Sequence, residues 1–150
     1  KVKHDGQTIA HFAAANGWRD ALQWIRDCNG LGVDFLKQVS NVGQTIAHTA
    51  AAKAKRDVLA WIRDCNGLGG EFLKQVSIDG QTIAHWATVT GSRSVLEWIR
   101  DDEALGREFL KRVKNDGATI AHAAAAFDKR DELEWIRDCD GLGLEFLNQT

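Results

Sequence analysis

The hexapeptide GQTIAH stands at residues 6–11, recurs at 43–48 and 80–85, and returns as GATIAH at 117–122. The copies are spaced 37 residues apart, and residues 6–42 and 43–79 are identical at 27 of 37 positions. Self-similarity at a period of about 20 to 50 residues is typical of stacked arrays, in which each unit buries its apolar face on its neighbour. The sequence therefore predicts a single domain of four repeats, with bounds near 1–42, 43–79, 80–116 and 117–150.

The residue pattern within one repeat predicts helices. Thr8 suits the N-cap of a first helix, because its hydroxyl can accept hydrogen bonds from backbone N–H groups that the first turn leaves unpaired. Gly17 suits the left-handed residue that ends this helix. A second helix is predicted at about 19–28, with Leu22 and Ile25 inward, and a short helical turn within 31–39. The predicted fold class is all-α: a solenoid of four stacked helix-turn-helix units, each with a short extra helical turn.

Composition limits the kinds of partner. Lys and Arg number 19 against 21 Asp and Glu, so the sequence predicts neither nucleic-acid nor membrane-surface binding, which clustered positive charge would favour. Apolar runs such as 123–127 are far shorter than the roughly 20 residues that cross a bilayer. Cys28, Cys65 and Cys139 are an odd set, and the third repeat has Asp102 at their position. Such a set does not fit a disulfide framework and indicates a reducing compartment, the cytoplasm.

The motif T-I-A-H-x-A resembles the T-P-L-H-x-A signature of ankyrin repeats, and Asp79-Gly80 resembles the Asp-Gly of that family's β-hairpin turn. The resemblance extends over all 150 residues. It departs from the family in two respects: isoleucine replaces the usual proline, and the period is about four residues longer than the usual 33. The form T-[IV]-A-H-x-A resembles a variant associated with bacterial ankyrin-type proteins. If the chain is a bacterial effector, the expected compartment is the host cytosol.

The recurring histidines do not fit a metal site. Zinc ligands lie about 2.0–2.3 Å from the ion, whereas neighbouring repeats stack roughly 8–10 Å apart. The resemblance implies that each histidine instead ties adjacent turns together through its two ring nitrogens. We therefore expect no metal, no cofactor and no catalytic residue. The expected structural residues are the four Thr–His pairs Thr8 and His11, Thr45 and His48, Thr82 and His85, and Thr119 and His122.

Other residues that recur in every repeat are interpreted as framework. One tryptophan per repeat is predicted to pack in the core, at Trp24, Trp61, Trp98 and Trp135. One Arg-Asp pair per repeat is predicted to form ionic ladders between copies, beginning at Arg26, Arg63, Arg100 and Arg137. The cysteines are predicted to be small, semi-buried hydrophobic residues at the end of the second helix.

Positions that differ between the copies are the candidates for binding. In ankyrin repeats, turn tips and first helices line one concave surface that grips partner proteins, and the differing positions map onto these parts. The predicted partner-binding residues are His4, Asn41, Val42, Ile78 and Asn115 in the turns, Ala15, Asn16, Ala52, Lys53, Val89, Thr90 and Phe127 near the ends of the first helices, and Trp18, Lys55 and Lys129 just beyond them. Drift on a solvated face is the alternative, although apolar residues such as Trp18 and Phe127 argue against it. Phe12, Thr49, Trp86 and Ala123 are interpreted as inter-repeat packing first and contact residues second.

The sequence thus predicts a monomeric, non-enzymatic module that binds a protein partner. Two alternatives stay open: an engineered or selected repeat-protein binder, and the substrate-recruiting segment of a larger enzyme. One further prediction concerns the end of the array. Glu132 stands where earlier copies have Val58 and Val95, so Glu132 is predicted to be a solvent-exposed cap while the two valines are buried between copies.

Overall fold

The computed structural model describes residues 6–139 and 141–148, which contain twelve helices and no strand. Three helices recur in each repeat. The first helices are α1 (Ile9–Ala15), α4 (Ile46–Ala52), α7 (Ile83–Val89) and α10 (Ile120–Ala126). The second helices are α2 (Arg19–Asp27), α5 (Arg56–Asp64), α8 (Arg93–Asp101) and α11 (Arg130–Asp138). The third are α3 (Gly32–Leu36), α6 (Gly69–Leu73), α9 (Gly106–Leu110) and α12 (Gly143–Leu147). The predicted all-α fold class is confirmed.

Each first helix begins at a capping threonine. In α1 the hydroxyl of Thr8 accepts hydrogen bonds from the backbone N–H groups of Ala10 at 3.1 Å and His11 at 3.4 Å. The helix ends at Asn16, and Gly17 follows in the left-handed region with φ +73°. Because a side chain crowds the backbone in this region, glycine is the favoured residue there. The second repeat nevertheless places Ala54 in this conformation, with φ 60°.

The repeats stack because equivalent helices pack side by side along the chain. Helix α1 packs on α4, α4 on α7 and α7 on α10. The small side chains of Ala47, Ala50 and Ala51 are fully buried at these contacts. The core is completed by large side chains that recur from repeat to repeat, such as Leu22, Leu59 and Leu96 of the second helices and Leu36, Leu73 and Leu110 of the third. The chain is therefore an all-α repeat solenoid. Among the described residues, no helix is long and apolar enough to span a membrane.

Each repeat has two faces that are used in stacking. We call the side that meets the preceding repeat the leading face and the side that meets the following repeat the trailing face. Trp61 lies on the leading face of the second repeat, where its Nε1–H donates to Oε1 of Gln23 in the first repeat at 3.1 Å. His11 lies on the trailing face of the first repeat, where its Nε2 is 2.9 Å from the carbonyl oxygen of Gln44 in the second.

The expected cap at Glu132 is wrong. Val58 and Val95 are fully buried as predicted, but Glu132 is also buried, with 4% of its surface exposed. This position lies on the leading face: a Cβ built on Gly91 of the third repeat would lie 3.8 Å from the Glu132 carboxyl group. The third repeat therefore covers Glu132. A polar change that caps the C-terminal end of the array would have to lie on the trailing face instead.

For the tryptophans and arginines of the second helices, the structure agrees with the predictions only in part. Trp61, Trp98 and Trp135 are half-buried and pack against the core, whereas Trp24 is exposed. Each arginine pairs with the aspartate that follows it within its own copy, as Arg63 does with Asp64 at 3.3 Å. The contact between copies runs from the same arginine to the next repeat's cysteine position.

Candidate partner-binding surface

The links between first and second helices hold one set of the differing residues. Asn16, Lys53, Thr90 and Phe127 are the C-caps of the first helices, while Trp18, Lys55 and Lys129 are N-caps of the second helices. Because the first helices stack in order, these caps form a row along the solenoid, which we call the link row. Ala15, Ala52 and Val89 lie beside it, one residue before the C-caps.

Most side chains of the link row reach the surface. Trp18 and Phe127 are more than half exposed. Asn16, Lys53 and Thr90 are exposed, whereas Ala15, Ala52, Lys55, Val89 and Lys129 are half-buried. The half-buried lysines pack on the preceding repeat: a Cβ built on Gly17 would lie 3.2 Å from Cδ of Lys55. Their methylene groups thus cover backbone, an arrangement that leaves a long side chain's charged group near solvent.

The turns between repeats hold the second set, which we call the turn row. Asn41, Val42, Ile78 and Asn115 are exposed. Hydrogen bonds join successive turns: the N–H of Ile78 donates to the carbonyl oxygen of Val42 at 2.9 Å, and the N–H of Asn115 donates to that of Asp79 at 2.9 Å. The side-chain amide of Asn115 also donates to the carbonyl oxygen of Ile78 at 2.9 Å. The turn row is therefore a continuous, hydrogen-bonded edge. The predicted residue His4 lies outside the described residues.

The two rows lie at opposite ends of the first helices. Each of these helices has seven residues, which separates the rows by about 10 Å. Between them lie the residues interpreted as packing first and contact second. Thr49 is buried and its hydroxyl donates to the carbonyl oxygen of Thr45, whereas Trp86 is half-buried, and Phe12 is exposed in edge contact with Trp18 at 5.6 Å. The expected binding surface thus consists of the two rows and, between them, residues that range from buried to exposed.

The histidines have both ring nitrogens engaged in the first three repeats. Nδ1 of His48 accepts from the backbone N–H of Thr45 at 3.1 Å, and Nε2 is 3.0 Å from the carbonyl oxygen of Gln81 in the next repeat. Because Nδ1 accepts, the ring proton resides on Nε2, which donates to Gln81. Burial lowers the pKa of His48 to about 4, and burial also lowers that of His85. A neutral imidazole held in this way acts as a tie between repeats.

Cysteine positions on the second helices carry a contact that the sequence argument missed. Arg63 donates to Oδ1 of Asp102 at 2.8 Å, and Oδ2 of Asp102 accepts from the N–H groups of Ala104 and Leu105. The carboxylate is almost fully buried and raises the pKa of Arg63. In the preceding boundary the same arginine contact reaches a thiol, Arg26 to Cys65 at 3.8 Å. The replacement of cysteine by aspartate in one copy was the available signal.

Three exposed valines were also not found from the sequence. Val39, Val76 and Val113 are each about half exposed and lie next to the turn row. They were expected to continue the helical turn of 31–39, but α3 ends at Leu36, so Val39 lies outside the packed helix. Because the residue is the same in all three copies, a search for differences between copies could not find it.

No group of three or more His, Cys, Asp or Glu side chains suited to a metal ion occurs within 6–139 and 141–148. Cys65 and Cys139 are buried thiols, and Cys28 is a half-buried one. The thiol of Cys65 accepts from the guanidinium of Arg26 at 3.8 Å, and a guanidinium, which stays protonated, cannot act as the base that a nucleophilic cysteine requires.

The stacked helices and hydrogen-bonded turns form a repeat solenoid, and the link row and the turn row are exposed along its surface. No protein-family model and no curated protein sequence matches the chain. The chain is similar in fold to one chain of the crystal structure of the yeast ribosomal protein Rps3 in complex with its chaperone Yar1, with a TM-score of 0.69. The similarity covers 90% of this chain and 93% of that chain at 19% sequence identity. At such low identity it concerns the fold alone.

Proposed function

We propose that the chain is a protein-binding module of the ankyrin-repeat type, which uses the link row and the turn row to bind a protein partner. One observation carries the proposal. The Thr–His pairs, which are constant across the four copies, are largely buried and hydrogen-bonded, whereas none of the described positions predicted to bind is buried. A framework fixed for stacking leaves these positions free to differ, which suits recognition.

Exposed apolar side chains support binding over simple solvation. Trp18 and Phe127 in the link row and Val42 and Ile78 in the turn row are each more than half exposed. Val39, Val76 and Val113 add an apolar stripe beside the turn row. Aromatic residues contribute disproportionately to binding energy at interfaces, and clustered exposed apolar residues mark contact sites. The proposed partner therefore presents apolar side chains to both rows.

Positive charge in the link row adds a second feature of the partner. Lys53, Lys55 and Lys129 lie along this row, and Lys53 is exposed. Opposite charge across an interface raises association rates and fixes orientation more than it adds affinity. We therefore propose acidic groups on the partner near the link row. The proposal includes no catalytic step, and the thiols suit a module that acts in a reducing compartment.

Binding is tested with a partner isolated by affinity capture and then purified, so that its affinity for defined variants is measured by calorimetry. The test variant carries Trp18→Ala, Lys53→Ala, Val89→Ala and Phe127→Ala. The control variant carries Asp34→Ala, Glu71→Ala, Glu108→Ala and Glu145→Ala, four exposed residues at one repeated position of the third helices.

We expect the test variant to lose at least about a hundredfold in affinity, since a few interface residues dominate binding, while circular dichroism and melting stay nearly unchanged. The control variant should bind as the original chain does. Equal loss in both variants, or no loss in the test variant, contradicts the proposed surface. A melted test variant would show that these residues belong to the core.

A further inference from the structure

The leading face of the first repeat is an open apolar surface. Ile9 is 50% exposed, Phe12 55% and Trp24 63%, and together with Ala21 and Ile25 they line an open groove of about 340 Å³. In the second repeat the position of Ile9 is held by Ile46, which is fully buried. The same side chain is thus exposed in one copy and enclosed in the next.

Interior boundaries show which groups cover such a face. The guanidinium of Arg63 lies 5.5 Å from the ring centre of Trp98 in the following repeat, and that of Arg100 lies 5.7 Å from Trp135. The ring of His48 packs edge-on at 6.1 Å against Trp86, which holds the position of Phe12. A leading face is therefore covered by the arginine and the histidine on the trailing face of another repeat.

The trailing face of the fourth repeat presents these same groups. Arg137 and His122 hold the positions of Arg63 and His48, and both are partly exposed. Leu144 is 65% exposed at the position of Val33, whose side chain packs on Gly67 of the following repeat. Among the residues that the structure describes, no repeat packs on this face.

Cys28 also differs in burial from the residues at its position in the other repeats. Its counterparts Cys65, Asp102 and Cys139 are each 6% exposed, whereas Cys28 is only half-buried. At the interior boundaries an arginine of the preceding repeat reaches this position, as Arg26 reaches Cys65 and Arg63 reaches Asp102. Within the described residues no preceding repeat supplies such an arginine to Cys28, and Arg137 on the trailing face of the fourth repeat is the residue of matching type and position.

We propose that a second copy of this chain covers the open face, with the trailing face of its fourth repeat docked on the leading face of the first repeat. In this contact Arg137 of one copy lies over Trp24 of the other, His122 meets Phe12, and Leu144 packs on Gly30 as Val33 packs on Gly67. The contact repeats the geometry already present at the interior boundaries. Because the two faces differ, the association is head-to-tail and extends into open chains of copies rather than closing as a symmetric dimer. It departs from the monomer expected from the sequence.

Sedimentation velocity of the purified chain from micromolar to submillimolar concentration tests the proposal. Two variants each disrupt one side of the proposed contact. The leading-face variant carries Phe12→Ser and Trp24→Asp, and the trailing-face variant carries Arg137→Glu and Leu144→Asp. All four positions are substantially exposed, so both variants should fold, which circular dichroism checks.

The original chain should form species of increasing size with concentration. Each variant alone should be monomeric, and a mixture of the two should give a one-to-one complex that grows no further, because each partner retains one intact face. A monomeric original chain at every concentration overturns the proposal. So does a trailing-face variant that still dimerises, which would indicate symmetric contact through the apolar groove, or a monomeric chain whose separate protein partner requires Phe12 and Trp24.

Discussion

Ile9 and Ile46 occupy the same position in the first and second repeats, but Ile9 is half exposed and Ile46 is fully buried. Trp24 and Trp61 differ in the same direction, as do Cys28 and Cys65. The residues are identical within each pair, so the difference arises from the neighbour: the second repeat has the first repeat on its leading face. In a repeat solenoid, burial is thus a property of the boundary between units and not of the residue alone.

The largest expected effect separates these two environments directly. Ile46→Ala should lower the free energy of unfolding by about 3 kcal/mol, because truncating a buried isoleucine removes transfer energy and leaves a cavity. Ile9→Ala should cost about 0.5 kcal/mol, as expected for a surface position. Urea denaturation at a concentration where the chain is monomeric measures both. Equal losses would show that the leading face of the first repeat is covered in solution.

The second prediction concerns the buried imidazole of His48. Its pKa is about 4 in the folded chain against an ordinary value of 6.5. Between these values the unfolded chain binds a proton that the folded chain does not, so the free energy of unfolding falls as pH falls from 6.5 to 4. The loss is on the order of 3 kcal/mol at pH 4. Above pH 6.5 this group contributes no pH dependence.

The physical cause can be checked with His48→Gln. Protonation would give Nδ1 a hydrogen, so it could no longer accept from the N–H of Thr45. Denaturation across this pH range should therefore show a shallower slope in the variant than in the original chain, whatever its absolute stability. Parallel slopes in the two proteins would assign the pH dependence to other groups.

The third prediction compares two boundaries between repeats, at which equivalent arginines contact different partners. Arg63→Ala should cost about 2 kcal/mol, because it leaves the buried carboxylate of Asp102 without its cation. Arg26→Ala, which loses a contact with the thiol of Cys65 and an exposed pair with Asp27, should cost about 0.5 kcal/mol. Introducing Asp102→Cys should reduce the cost of Arg63→Ala to that of Arg26→Ala. A cost that persists in the cysteine background would point to the stacking of Arg63 on Trp98 instead.

The smallest expected effect concerns a repeated position with a left-handed backbone, which holds alanine in one repeat and glycine in another. Ala54 and Gly91 hold the same position with φ 60° and φ +75°. Ala54→Gly should raise the free energy of unfolding by about 0.5 kcal/mol, because glycine adopts this region without steric cost. Gly91→Ala should lower it by about 1 kcal/mol, since an added Cβ meets only ordinary contacts and the backbone carries the cost. Thermal melts of both variants measure the difference, and effects of the same sign would contradict it.

Much of the local structure followed from the sequence. The capping threonines, the left-handed Gly17, the inward Leu22 and Ile25 and the short third helix lie where the residue pattern predicted them. These features depend on contacts within a few residues, such as a hydroxyl that accepts from the next turn. The exposed positions of the link row followed as well, because residues that differ between copies cannot all serve one stacking geometry.

The sequence did not predict which side of each helix a neighbouring repeat covers, and the two errors have the same cause. Glu132 was expected to be exposed because its side chain is charged, yet the preceding repeat encloses it. Trp24 was expected to pack in the core, yet it is exposed, because no repeat among the described residues lies on that side of it. Residue type predicts average burial, whereas the direction of stacking determines which side of each helix a neighbour covers.

The sequence alone determined the number of repeats, their 37-residue period and the helices within each, because these depend on periodicity and on hydrogen bonds between residues close in the chain. Only the tertiary structure determined that Arg63 meets Asp102, that the link and turn rows lie at opposite ends of the first helices, and that the first leading face is open. The reason is that residues 37 to 39 positions apart come together only when one repeat is packed on the next, and the orientation of that packing is set by all of the contacts at the boundary together.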